Sequence, residues 1–274
     1  MKFINGVTDY DEWRDHDRDN KKFKERMSKI SWALAKKENG ERLTLAEQIV
    51  LVLCIVVSKL SGKLEGFYAI STSVLMNAIC QARAKVKNSI CALCYAALNI
   101  QRKATLTQAL ETNFIILNTF LISEEAWKVL AIPSTNGMAR IESHGDVATE
   151  ICAINYVRIV ASHPWLTFAV FTKNVELYKN VFETEGKPSN MIFIASSPII
   201  NEVMDIPEWA VEYVDHIFTV YEEEYAREHD IVINCGTWEG HDLDHRCSTC
   251  MKCYDKQNVG VHCPFYYLNE LLHR

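Results

Sequence analysis

The chain has 274 residues, 49% of them hydrophobic and 23% charged, with a net charge of −6. This is ordinary globular composition and excludes a fibrous, low-complexity or disordered chain. The acidic total also argues against a protein built chiefly around nucleic-acid phosphates. The longest apolar run, from Ile49 to Val57, has nine residues, and a bilayer needs about 20, so no membrane partner is expected.

The opening stretch MKFINGVTDYDEWRDHDRDNKK is charged and has no apolar core of a signal peptide, which points to the cytoplasm. Phe23, Met27, Ile30 and Trp32 recur at helical spacing and predict a helix from about Asn20 to Ala35. Thr44-Leu45-Ala46-Glu47 matches a capping box. The apolar helix it opens is expected to run to about Leu60, with Ser61-Gly62 ending it. Residues 1–62 thus read as an N-terminal helical segment.

Strands are predicted at Phe67–Ser73, Met138–Ser143, Leu166–Thr172, Asn190–Ser196 and Val214–Tyr221, with a short sixth at Ile231–Asn234. Helical patterns at 92–103, 105–122, 149–162 and 175–185 fall between them. Alternation of this kind implies a parallel sheet. The predicted architecture is α/β: a partial (βα)6-type barrel of parallel strands over residues 63–234, followed by a cysteine-rich, metal-binding tail over 235–274. A doubly wound sheet would give the same order of elements. In the barrel, ligands sit at the carboxyl ends of the strands.

Ten cysteines occupy positions 54, 80, 91, 94, 152, 235, 247, 250, 253 and 263. In an intracellular chain so many cysteines argue for metal sites rather than disulfides. Cys54 and Cys152 lie singly in apolar helical stretches and read as small core residues. Cys80, Cys91 and Cys94 form a C-x10-C-x2-C loop after the first predicted strand. Three thiolates there can hold a 4Fe–4S cluster and leave one iron open to a substrate or cofactor. Cys91 and Cys94 alone would also suit half of a zinc site or a redox pair. No Asp or Glu occurs from Gly66 to Leu110, whereas Arg83, Lys85, Lys87, Arg102 and Lys103 do. Such cations offset an anionic cluster and attract an anionic ligand; a solvated basic helix face has the same composition.

The tail motif Cys247-x2-Cys250-x2-Cys253 matches the opening of the bacterial ferredoxin run. Structural zinc more often takes separated pairs. Cys235 is the expected fourth ligand, with Cys263-Pro264 as its rival, and His241, His245 and His262 keep zinc open as the metal of the tail. At the end of the second predicted strand, Asp146 can receive an ammonium group, or it can N-cap the next helix with Gly145 making the turn. Lys173, after the third, is a candidate contact for an anionic group, and Asn174 reads as an N-cap.

A strand followed by cysteines ending in C-x2-C-Y-A, then RIESHGDV, then FAVFTKN, then a cysteine-rich tail resembles the phage gene product 88 domain family. Members tend to show an R-I-x-x-x-G-D strand end and a later aromatic-rich strand ending in T-K. Here these are Arg140-Ile141-Glu142-Ser143-His144-Gly145-Asp146 and Phe171-Thr172-Lys173, and the resemblance covers roughly residues 63–255. It implies a phage protein working in the cytoplasm of a bacterial host cell. More distantly, the layout is similar to radical S-adenosylmethionine enzymes. These place a three-cysteine loop after the first strand of a partial barrel, bind the methionine ammonium at a Gly-Gly-Glu-like strand end, and often carry an auxiliary cluster in a C-terminal extension. That likeness implies a cluster on Cys80, Cys91 and Cys94, with S-adenosylmethionine against Gly145 and Asp146. The first cysteine gap is ten here, where that superfamily has three, and Asp146 stands in place of Glu.

The function expected from the sequence is therefore an iron–sulfur enzyme with one or two 4Fe–4S clusters, S-adenosylmethionine, an unidentified substrate and an electron donor. The alternative is a zinc-stabilised phage protein that binds or modifies nucleic acid through the basic stretch from Arg83 to Lys103.

Overall fold

A computed structural model describes residues 20–134, 136–235, 246–255 and 266–272. Helix α1 (Lys21–Glu38) begins where the Asn20 side chain accepts from the backbone of Lys22 and Phe23. Helix α2 (Leu45–Val52) carries the predicted capping box, with both reciprocal bonds between Thr44 and Glu47 present.

Helix α2 stops short of its expected end. The chain leaves it after Val52, and β1 (Ser58–Lys59) pairs antiparallel with β2 (Tyr68–Ile70). The β-branched run Ile55-Val56-Val57 disfavours helix. Asn113 also gives its backbone partners elsewhere: its side chain accepts from Val56 N at 2.8 Å and donates to Val56 O at 2.9 Å.

The chain continues through α3 (Ala78–Arg83), α4 (Tyr95–Arg102), α5 (Ala104–Thr119), α6 (Glu124–Trp127), β3 (Met138–Ile141), α7 (Glu150–Ala161), β4 (Thr167–Thr172), α8 (Lys179–Glu185), β5 (Met191–Ser196), β6 (His216–Tyr221), α9 (Glu223–Glu228), α10 (Cys247–Cys250) and β7 (Tyr266–Leu271). The seven strands lie in sequential order, and every pair from β2 onward is parallel. The order never reverses, so the sheet lacks the topological switch point of a doubly wound fold.

The strand expected at Ile231–Asn234 is not formed. Its place beside β6 is taken by β7, in register from His216↔Tyr266 to Tyr221↔Leu271. Residues 232–235 meet β7 at Asn269, whose side chain donates to Val232 O and whose carbonyl accepts from Asn234 N and Cys235 N. The tail thus supplies the last parallel strand of the sheet.

Alternation along each strand sends successive side chains to opposite faces. Ile70, Ile141, Phe168, Val170, Phe193 and Ile217 face the core shared with Ile30, Leu51, Ile116, Trp127, Tyr156 and Phe182 of the helical layer. Cys54 and Cys152 are 1% and 0% exposed in that same core, as expected. The opposite face, with Phe67, Ala69, Ala169, Ile192, Ile194 and Leu268, packs against Cys247, Met251, Cys253 and Tyr254 of the tail. Among the described residues no helix is long and apolar enough to cross a membrane.

Candidate metal and ligand site

The front cysteine loop is built over the carboxyl ends of β2 to β5. Asn77 caps α3 by accepting from Ile79 N and Cys80 N, and it donates to Asp146 O at 2.8 Å. This fixes Cys80 in the first turn of α3. Ser89 Oγ accepts from Cys91 N, and Cys94 is the N-cap residue of α4. Two ties hold the loop down. Arg83 donates to Asp146 Oδ2 (3.3 Å), Lys173 O (2.8 Å) and Asn174 Oδ1 (2.5 Å). At the far end Ile90 N donates to Pro198 O, and Ile200 N donates to Asn88 O.

Burial pushes the Cys80 thiol well up; the nearby charges of Asp146, Cys91 and Cys94 add to this, and Lys173 opposes it. Burial likewise raises Cys94, again with Cys91 adding and Lys173 opposing. The three front cysteines and Lys173 therefore lie within electrostatic reach of one another. Among the described residues, no three His, Cys, Asp or Glu side chains close around a point tightly enough to grip a single metal ion.

Asp146 does not cap the next helix. It is 3% exposed. Its Oδ1 accepts from Val147 N (2.9 Å) and Thr172 Oγ1 (2.7 Å), and its Oδ2 accepts from Lys173 N (3.0 Å) and Arg83. Thr149, not Asp146, caps α7, accepting from Cys152 N. The carboxylate instead ties the loops after β3 and β4 to the cysteine loop, and its oxygens are engaged within the protein. Asn174 stands at the N-cap position of the helical turn Val175–Tyr178, but its side chain makes no capping bond: it accepts from Arg83 and donates to Val147 O.

Glu142 is a site residue that the sequence reading missed. It follows β3 with φ +59 and is 4% exposed. Its carboxyl accepts from Thr72 N (3.0 Å), Thr72 Oγ1 (2.6 Å) and Tyr156 OH. Burial pushes it up to about 7, against the pull of those hydrogen bonds. A lone Glu at the end of an apolar strand was the available signal.

Tyr95 donates its hydroxyl to Ser143 O yet keeps 54% of its surface exposed. Ser143 Oγ meets Ser71 Oγ and His144 Nδ1, each at 2.9 Å. Burial, helped by the charges of Arg140 and Lys103, pushes His144 down to about 4, so its ring is neutral near pH 7. The Arg140 guanidinium lies over the Phe171 ring, 3.9 Å from its centroid.

The tail makes the second cysteine group. A helical turn over Cys247–Cys250 ends at Met251, whose φ of 57 reverses the chain into a turn over Lys252–Tyr254. Cys235, Cys247, Cys250 and Cys253 line one pocket together with Phe218, Met251, Tyr254 and Leu268; its space, open mouth included, is about 360 Å³. Burial raises Cys247 to about 11 and Cys253 further, and the neighbouring thiols add to both. Tyr254 stacks on Phe67 at 4.6 Å, Arg246 pairs with Glu65 at 3.0 Å, and Lys252 Nζ donates to Asn234 O. A Cβ on Gly66, whose φ is +99, would sit 3.2 Å from Ser248 Cβ, so the tail rests directly on that glycine. Cys263, Pro264, His241, His245 and His262 lie outside the described residues.

These features define a mixed α/β protein with a seven-stranded, mostly parallel sheet and two cysteine groups, one at the strand ends and one on the face opposite the helices. The family model described as Gene product 88 matches residues 33–264, and the chain belongs to that family. No curated protein and no solved structure matches it. The likeness to radical S-adenosylmethionine enzymes finds no support in these comparisons.

Proposed function

We propose that this protein is an iron–sulfur enzyme with an open 4Fe–4S cluster on Cys80, Cys91 and Cys94 and a second, closed centre on Cys235, Cys247, Cys250 and Cys253. The observation that carries the reading is the gathering of seven cysteines into these two groups, the second lining a single pocket. Both groups fit thiolate ligation. Burial and the neighbouring thiols hold Cys247 and Cys253 protonated until a cation takes the protons' place. Sequential strand order with the helical core on one face supports reading the sheet as the wall of a partial barrel, with the front loop over its ligand-binding end.

A cluster with one open iron supplies an electron and a binding place for an amine and carboxylate, as S-adenosylmethionine would offer. The chain's own residues do the rest. Lys173 offsets negative charge at Cys80 and Cys94. Arg83, held by Asp146, fixes the cysteine loop over the strand ends. Cys80 is 7% exposed, which shields that ligand from water. Neutral His144 and Tyr95 lie against each other beside the front loop, where a substrate would meet them.

A second reading puts zinc in the tail and nucleic acid on the exposed Lys85, Lys87 and Lys103. It is weakened by Arg83, which turns inward to Asp146 and Asn174 instead of joining that surface. One experiment separates the two. Protein purified without oxygen is analysed for iron, sulfide and zinc, reduced with dithionite, and mixed with S-adenosylmethionine. The iron–sulfur reading expects brown protein, a changed electron paramagnetic resonance spectrum and 5′-deoxyadenosine. Colourless, zinc-loaded protein rejects it in favour of the second reading. Protein that holds the front cluster but gives no spectral change and no cleavage product removes the radical chemistry.

A further inference from the structure

Arg140 lies next to the carboxyl end of β3, with its side chain on the face opposite the helices, in register between Ala69 of β2 and Ala169 of β4. Its Nε is buried with no hydrogen-bond partner. Its neighbours are the Phe171 ring and the side chains of Tyr254, Tyr95 and Cys247. Among the described residues no Asp or Glu is ion-paired to it. The nearby carboxylates are engaged elsewhere: Asp146 with Arg83, Glu270 with Lys63, and Glu142 with Thr72 and Tyr156.

A guanidinium does not deprotonate in a protein, and a buried charge needs a counter-charge. An Arg in this setting is therefore a receptor missing its anion, and its planar fork matches a carboxylate or phosphate. Tyr95 beside it is half exposed, and the charges of Lys63 and Lys173 act with that of Arg140 on the Tyr95 hydroxyl. We propose that Arg140 binds an oxyanion of the substrate, a carboxylate or a phosphate, between Tyr95 of the front loop and Cys247 of the tail. This rests on the reading of the strand ends as the ligand site, and it does not depend on which metal the cysteines hold.

The test uses the full chain, labelled with 15N-arginine, with inorganic phosphate and acetate as probes at constant ionic strength. One arginine Nε–H resonance should move saturably with at least one probe, and the better probe identifies the anion class. Arg140→Gln should remove that resonance and the response. Arg140→Lys, which keeps the charge and guards against misfolding but has no guanidinium resonance, is compared with the parent by calorimetric titration of the same probes and should bind at least tenfold more weakly with unchanged metal content and circular dichroism. Two results overturn the proposal: a saturable response that survives in Arg140→Gln, or no saturable response to either probe in the parent protein. If the parent gives no response and Arg140→Gln loses tail metal, Arg140 is only a counter-charge for the tail thiolates. Saturable binding by a protein that holds no metal would overturn the iron–sulfur reading and leave this inference standing.

Discussion

Gly145 lies against the Glu142 carboxylate so closely that a Cβ there would stand 2.5 Å from Glu142 Oε2, and as close to Thr72 Oγ1. The same Cβ would meet Thr72 O at 2.6 Å, and a backbone carbonyl cannot swing aside as a side-chain tip can. The chain can pass over the buried Glu142–Thr72 cluster only without a side chain at 145.

Gly145→Ala should therefore destabilise the protein by about 1–3 kcal/mol, the usual cost of overpacking. Urea unfolding followed by circular dichroism would show a lower midpoint with an unchanged slope. A midpoint equal to that of the parent would mean the contact is not tight in solution.

Glu142 makes stability depend on pH with a definite sign. Burial raises its carboxyl from the ordinary 4.5 to about 7, so between those values the native state binds more protons than the unfolded one. Its contribution is full below about pH 4.5 and is lost as pH rises through about 7, a fall of at most about 3 kcal/mol. Glu111, raised by burial to about 7, acts in the same direction, and His144, lowered to about 4, acts in the opposite one. The diagnostic is therefore a difference: Glu142→Gln, measured against the parent at pH 5 and pH 8, should flatten the decline. Parallel pH profiles for the two proteins would refute the assignment.

Asp146→Ala should cost about 3 kcal/mol or more, because it strands a partly buried guanidinium. The side chains of Arg83 and Asp146 are 21% and 4% exposed. Arg83→Met combined with Asp146→Ala should cost less than the sum of the single changes, since the pair acts as a unit. The front cluster should be retained less well in each single variant, as read by iron per chain. Additive free energies would show that the two residues do not couple.

Cys250→Ala should lower both the melting temperature and the metal content, because binding free energy at such a site is folding free energy. Gly66→Ala should lower the melting temperature while leaving the four cysteines in place, through its φ of +99 and its contact with Ser248. Unaltered metal content in Cys250→Ala would reject a metal in the tail pocket.

Much of this molecule is legible in local patterns. The Thr44–Glu47 box starts α2, and the apolar runs at Met138, Thr167, Met191 and His216 become consecutive parallel strands. Capping bonds and strand periodicity act over a few residues, so a short window of sequence contains them. The front cysteine loop was legible for the same reason: three thiols follow one strand, and a loop after a parallel strand lies at its carboxyl end.

Partnerships between distant residues are not written in any such window. Asn113 holds Val56 out of a helix from 57 positions away, and Asn269 takes up the polar groups of 232–235 that a sixth strand would have used. Nothing local to Asp146 tells that Arg83, Thr172 and Lys173 converge on it. The left-handed turn at Glu142 and the partnerless Nε of Arg140 depend on which strand lies alongside and which face it offers. A strand's own pattern shows that its faces differ. Which of them the helices cover, and which is left to the tail and to Arg140, is settled by packing free energy summed over the whole sheet.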